Sequence, residues 1–237
     1  MTWRMKEVFK VFSLVAMVCL VASSAQAVPI NSSGVWDNPD PSSGPVFATI
    51  TGVGTDQISW GTPQAGSKSS YEFVGLAGFD VAAPLSGVLF PVGTFIHHNF
   101  PILNFQFLGA DLSISISVPG IGFAHDFGPF EFDHNETPNS EPCDPSGATV
   151  CPDVVMLPNP MDGVPFSFGG KNWLFFLEGF RSDPGADIIP QFITEEGLSN
   201  EAILFARVRP VPEPTTLVLL GLGLVGLGIL SRRKKKA

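Results

Sequence analysis

Leu112-Ser113-Ile114-Ser115-Ile116-Ser117-Val118 alternates aliphatic and hydroxyl side chains for seven residues without a break. Successive side chains of an extended chain point to opposite faces, so this segment puts every aliphatic group on one side and every serine on the other. That is a half-buried strand. Further strand candidates are residues 46–53, 57–60, 71–73, 103–107, 173–177 and 202–208, separated by clusters of Gly, Pro, Asn and Asp. No long stretch between the two ends of the chain shows helical periodicity. Many short strands with turn signals between them predict an all-β fold, an antiparallel β-sandwich of jelly-roll type. Residues 133–165 hold many prolines and few strand formers, and read as a long loop.

The two ends are of another kind. Arg4, Lys6 and Lys10 form a positive region, Val11 to Val21 an apolar stretch, and Ala25-Gln26-Ala27 a small-residue cleavage site. This is the pattern of a secretory signal peptide over residues 1–27, with a mature chain beginning near Val28. Thr215 to Leu230 is uncharged and mostly apolar, and Arg232, Arg233, Lys234, Lys235 and Lys236 follow. As a helix those residues would span roughly 24 Å, slightly short of the roughly 30 Å hydrocarbon core. The expectation is a thin single transmembrane helix with its basic end in the cytoplasm. Inside it, GLGLVG at 221–226 matches G-x-G-x-x-G. A dinucleotide loop needs a strand before the first glycine and an acidic residue about 20 positions on, and neither accompanies this one. Glycines on a membrane helix instead permit close approach of another helix.

Residues 28–210 therefore read as one exported domain. The whole chain has a net charge of −9, but between the leader and the apolar run there are five basic and 21 acidic residues, close to −16. Such a surface repels nucleic acid and suits solubility, cations or a basic partner. Beyond Cys19 of the leader only Cys143 and Cys151 remain, in CDPSGATVC. An isolated pair in an exported chain is most simply a disulfide closing a small loop, a contribution of about 2–3 kcal/mol in the loop-entropy model.

All four histidines fall between 97 and 134, with Asp126, Asp133 and Glu136 near them in sequence. A metal site is one reading. Against it, His97 and His98 are adjacent, and on a strand they face opposite ways. Hydrogen-bonding histidines are the stronger reading, and no metal, cofactor or catalytic residue is assigned. There is no G-x-S-x-G elbow, and the pair Glu195-Glu196 reads as a solvated face rather than an acid and a base. A glycan-binding or cation-binding module is the alternative to a purely structural role. Glycan recognition favours exposed Trp and Tyr, and Trp36 and Trp60, which stand beside turn residues, are the best platforms unless they plug an end of the sandwich.

Pro212-Glu213-Pro214, an apolar helix and a terminal basic cluster, in that order, resemble the PEP-CTERM sorting signal of Gram-negative bacteria, here residues 211–237. The resemblance implies that an exosortase recognises Pro212, Glu213 and Pro214, and that the helix anchors the protein transiently in the inner membrane before its release to the cell surface. GVWDNP at 34–39, ISWG at 58–61, GTFIHHNFPI at 93–102 and HNETPN at 134–139 are similar to the THxN proteins that carry this signal, related in appearance to choice-of-anchor domains. In the naming motif Ile96 stands at the Thr position, and His97 and Asn99 match. That resemblance implies a secreted surface or matrix protein of unknown molecular activity, in bacteria that often make exopolysaccharide; with no reaction constellation in the chain, the expectation is a non-enzymatic role with extracellular polysaccharide as partner. The resemblance supplies His97, Asn99, His134, Asn135 and Glu136 as motif residues and no catalytic group. Because strand-edge polar residues need partners, FIHHNFPI and HNETPN are expected to meet, with His97 and Asn99 hydrogen-bonding the loop around His134 and Glu136.

Overall fold

The computed structural model describes residues 27–41, 50–82, 86–103, 106–137, 151–158, 162–211 and 221–224. In chain order the strands are β1 (Ala27–Pro41), β2 (Gln57–Trp60), β3 (Thr62–Pro63), β4 (Ser69–Gly75), β5 (Phe79–Ala82), β6 (Leu89–Asn99) and β7 (Ile102–Leu103). They continue with β8 (Phe107–Val118), β9 (Phe123–Asn135), β10 (Asp153–Met156), β11 (Val164–Phe168), β12 (Lys171–Arg181), β13 (Gln191–Thr194) and β14 (Leu198–Pro210). One six-stranded sheet runs β13-β10-β9-β8-β1-β5, a second runs β11-β12-β14-β6-β4-β2, and β3 pairs with β7. The pairings between strands are antiparallel.

The alternating segment lies in β8, between β1 and β9. Leu112, Ile114, Ile116 and Val118 are buried, while Ser115 is exposed and Ser113 and Ser117 are half-buried. The buried faces of the two sheets share one core. Trp36 of β1 meets Tyr71 of β4 at 5.2 Å, Phe95 of β6 at 5.8 Å and Phe132 of β9 at 5.1 Å between ring centroids. Phe127 of β9 stacks on Phe175 of β12 at 4.0 Å. The numerous phenylalanines are thus spent on closing the space between two sheets, each ring burying on the order of 150–250 Å².

Residues 133–165 are not one loop. β9 continues to Asn135, β10 occupies Asp153–Met156 and β11 opens at Val164. Prolines misled the reading because they tolerate edge positions: Pro165 lies in β11, at the edge of the second sheet, where a missing N–H interrupts no ladder. Half of the 46–53 candidate, residues 46–49, lies outside the described residues, and in the rest Thr51 makes an isolated bridge to Ser59.

The sheets touch where β1 passes β4. Ser32 N–H donates to the Leu76 carbonyl at 2.9 Å, and Leu76 N–H donates to Ser32 Oγ at 2.8 Å. A Cβ on Gly75 would lie 1.9 Å from the Ser32 carbonyl oxygen. That neighbour is backbone held in a strand and gives way only by moving β1. Gly75→Ala is expected to lower unfolding free energy by about 1–3 kcal/mol, read as an earlier midpoint in denaturant with an unchanged slope.

Candidate functional site

β6 carries His97 inward and His98 outward, as adjacent residues on a strand must be. His98 is half-buried and spans Ser199 Oγ at 2.7 Å and Glu72 Oε2 at 2.9 Å. His97 is fully buried, and so is Asn99, two residues on and on the same face. Facing them, β9 delivers His134 and β10 delivers Asp153, because Val155 of β10 pairs with His134. The His97 and His134 rings lie 5.1 Å apart between centroids.

Hydrogen bonds fix which atoms point inward. The Thr194 hydroxyl donates to the Asp153 carbonyl at 3.3 Å, so its lone pairs accept from His97 Nδ1–H at 2.8 Å. His97 therefore presents a bare Nε2 lone pair, and that atom has no hydrogen-bond partner. Burial, then the neighbouring charges of His134 and His98, hold its pKa well below the ordinary value, so the ring is neutral. Asn99 Nδ2 donates to the Thr194 carbonyl at 3.2 Å, leaving Oδ1 unpartnered. Asp153 Oδ1 accepts from Thr137 N–H at 2.8 Å and lies 3.0 Å from its hydroxyl, which leaves Oδ2 free to face the histidines.

His134 Nδ1 meets the Tyr71 hydroxyl, and Nε2 lies 3.1 Å from Glu136 Oε2 and 3.6 Å from Asp153 Oδ2. Burial acts against a charged ring here, but hydrogen bonds and charge from Asp153 and Glu136 outweigh it and raise the His134 pKa. Tyr71 is raised well above its usual value, first by burial and then by the charges of Asp153, Glu136 and Asp133, so it stays a phenol. Glu136 is raised by burial despite the His134 bond. Glu196, in the turn between β13 and β14, is pushed to about 7 by burial, with Asp153 and Glu136 adding to the shift. Both its carboxylate oxygens are buried without a partner, so Glu196 is no part of a solvated face, although Glu195 is exposed.

The motif segments FIHHNFPI and HNETPN thus meet, but not through the bonds expected. His97 and Asn99 bond Thr194 of β13 rather than the chain around His134 and Glu136, and His134 belongs to β9 rather than to a loop. Asn135 is exposed. His125, Asp126 and Asp133 do not join the cluster: His125 packs on Phe127, and Asp126 accepts from Ser115 Oγ at 2.6 Å. Asp153, Thr194 and Glu196 were not singled out in the sequence as members of such a site. Trp36 and Trp60 are fully buried, which corrects the expectation of exposed aromatic platforms. Trp60 stacks on Phe107 at 3.9 Å and forms one wall of the cluster. Cys151 is disulfide-bonded, and its carbonyl accepts from the Thr137 hydroxyl at 2.8 Å, so the covalent closure lies beside the Asp153 support. Cys143, Ala25, Pro212 to Pro214 and Arg232 to Lys236 lie outside the described residues, and Ala27 opens β1 opposite Ala82. Gly221 to Leu224 are helical, but no helix among the described residues is long and apolar enough to cross a membrane.

The other end of the same strands is apolar. An open cleft of about 270 Å³ there is lined by Phe90, Ile116, Phe123, Phe127, Phe166 and Trp173, among others. These features define an all-β protein of antiparallel sheets, with a polar cluster sealed at one end of its core. The PEP-CTERM protein-sorting motif matches residues 210–234, so the chain carries the signal of an exosortase substrate and has exosortase as its processing partner. No curated protein matches the chain.

Proposed function

We propose that this is a non-enzymatic surface or extracellular-matrix protein of a Gram-negative bacterium, whose jelly-roll-like domain associates with exopolysaccharide after exosortase processing. The observation that carries this reading is the sorting motif at 210–234. It begins at the last residue of β14, a strand bonded on both sides by β12 and β6. A cut beyond Pro214 would leave the domain with its central strand whole. The signal peptide, the thin membrane helix with its basic end in the cytoplasm, and the likeness of IHHN and HNETPN to THxN proteins belong to the same reading.

A non-enzymatic role is supported by closure: His97, His134 and Asp153, the groups best suited to proton transfer, are buried among the described residues. For polysaccharide, the outer face of the second sheet offers a polar hollow of about 270 Å³ lined by Gln57, Ser59, Lys68, Ser70 and His98. Hydroxyl and amide groups there suit sugar hydroxyls.

The test is intact mass spectrometry of the protein recovered from its host in medium, cell-surface and inner-membrane fractions. The expected species, at the surface or in the medium, lacks residues 1–27 and the segment beyond about Pro214. A full-length C-terminus lodged in the inner membrane would overturn the reading in favour of a permanent anchor.

A further inference from the structure

We propose that His97, His134, Asp153 and Glu136 form a buried site for one first-row divalent transition-metal ion, with zinc as its natural occupant. The first ground is geometric. One ligand atom from each of His97, His134 and Asp153 falls within 4.8 Å of the others, and Glu136 Oε2 lies 3.1 Å from His134 Nε2. A tetrahedral zinc ion with bonds of about 2.0–2.1 Å holds its ligand atoms about 3.3 Å apart, so His97, His134 and Asp153 need draw together by roughly 1.5 Å at most, and Glu136, already against His134, turns in as the fourth ligand.

The second ground is a surplus of lone pairs. His97 Nε2, Asn99 Oδ1 and both oxygens of Glu196 are buried acceptors without hydrogen-bond partners, and Asp153 Oδ2 has only the His134 ring, 3.6 Å away; the one donor left over in the cluster, the Trp60 indole N–H, is directed at Glu136. Unpaired buried acceptors are costly, and a surplus this lopsided is relieved by a cation rather than by rearranging the hydrogen bonds already present.

The third ground is the support around the inward atoms. His97 is locked by Nδ1–H to the Thr194 hydroxyl, and Asp153 by Oδ1 to Thr137. Both therefore turn one fixed atom to the centre, the arrangement that orients metal ligands through their outer contacts. His134 reaches the same state with a single hydrogen on Nδ1, donated to the Tyr71 oxygen, so that Nε2 becomes a ligand; a neutral ring gets there by moving its hydrogen from Nε2 to Nδ1, and a charged ring by releasing its Nε2 proton as the metal enters. Two imidazole nitrogens with two carboxylate oxygens suit zinc, whereas calcium and magnesium take oxygen ligands. Burial of His97 and Asp153 leaves no open coordination face, so the ion is structural: it ties β6, β9 and β10 together at one end of the core.

The experiment uses the full-length chain, expressed with export, without a polyhistidine tag, and incubated with excess zinc before gel filtration. Elemental analysis is expected to show one zinc per chain. Chelation should lower Tm by about 5–10 °C, and zinc should restore it. X-ray absorption at the zinc edge of the wild-type protein should show two imidazoles and two oxygen ligands, a readout independent of any variant. His97→Gln and Asp153→Asn should each cut zinc affinity at least tenfold. Less than a tenth of an equivalent of zinc, with Tm indifferent to both zinc and chelator, would overturn the site. So would bound zinc without histidine scattering at the edge, or zinc bound with unchanged affinity by both variants while they fold, because the ion would then sit elsewhere.

Discussion

Trp60→Ala is expected to cost about 3–5 kcal/mol of unfolding free energy, a large fraction of the roughly 5–15 kcal/mol that holds a domain of this kind together. Trp60 is fully buried, nearly parallel to Phe107 at 3.9 Å and edge-on to Tyr71 at 4.8 Å. It also stands 5.7 Å from His97 and 5.6 Å from His134 between ring centroids. Removing the indole therefore opens a cavity lined by rings on one side and by polar groups on the other. An apolar cavity stays dry, but one with His, Asp and Glu on its wall offers water several partners and lets it in. The loss would include the packing of three rings and the dry surroundings of His97 and His134. Guanidinium unfolding of wild type, Trp60→Ala and Trp60→Phe checks this. Phenylalanine keeps a ring on Phe107 and is expected to lose less than half as much. A loss below about 1 kcal/mol for alanine would mean that Trp60 is exposed, and a glycan platform would return as its role.

The contrast between Trp60 and the β8 serines shows what was legible in the sequence. β8 is bounded by water on one face, so its partition is written as local alternation, and Ile114 and Ser115 declare their sides without knowledge of any partner. Likewise the opposite orientations of His97 and His98 follow from adjacency alone. Trp60 stands in a four-residue edge strand beside Gly61, where nearby residues say nothing of Phe107. Its burial is decided by a residue 47 positions away.

The polar cluster was illegible for the same reason. His97 meets Thr194 across 97 residues, and Asn99 meets the same residue across 95. Periodicity reaches a few residues and is blind to such pairs. His97, His134 and Glu136 stood out because they are scarce or lie in a motif. Asp153 did not, since it sits among prolines in a segment that reads as loop, and Glu196 was one of many carboxylates. The usable signal was Asp153-Val154-Val155-Met156, a short strand former one proline beyond Cys151, but its register opposite His134 comes only from the fold.

The two ends of the core differ in a way that bears on folding. At one, Phe123, Phe127 and Phe166 form an open apolar cleft; at the other, β6, β9, β10 and β13 converge on acceptors that need a partner. Hydrophobic burial alone closes the middle of the molecule, where Trp36, Phe95 and Phe132 meet. It does not close the polar end, whose stability rests on Thr194, Thr137, Tyr71 and the disulfide at Cys151 holding the buried side chains in place.

Replacing Pro212, Glu213 and Pro214 together by alanine is expected to abolish release while leaving the domain untouched. The sorting motif spans 210–234, whereas β14 ends at Pro210 and Val211 N–H still donates to the Asn172 carbonyl at 2.9 Å. Structure and signal therefore abut without sharing more than a residue or two. The substitutions remove two rigid rings and one carboxylate from the connection, and alanine adds nothing that the sheets must accommodate. Tm of the domain released by proteolysis should match wild type within about 1 °C, as surface changes remote from the core move stability by no more than about 0.5 kcal/mol. The cell should nonetheless retain nearly all of the protein in the inner membrane with its C-terminal segment intact, whereas wild type is expected to be processed. Immunoblots of fractions and the intact mass of the retained form read this directly. Processing at the wild-type rate would place recognition in the apolar run 215–230 or in Arg232 to Lys236 instead, and the same assay on a variant lacking that basic cluster separates the two.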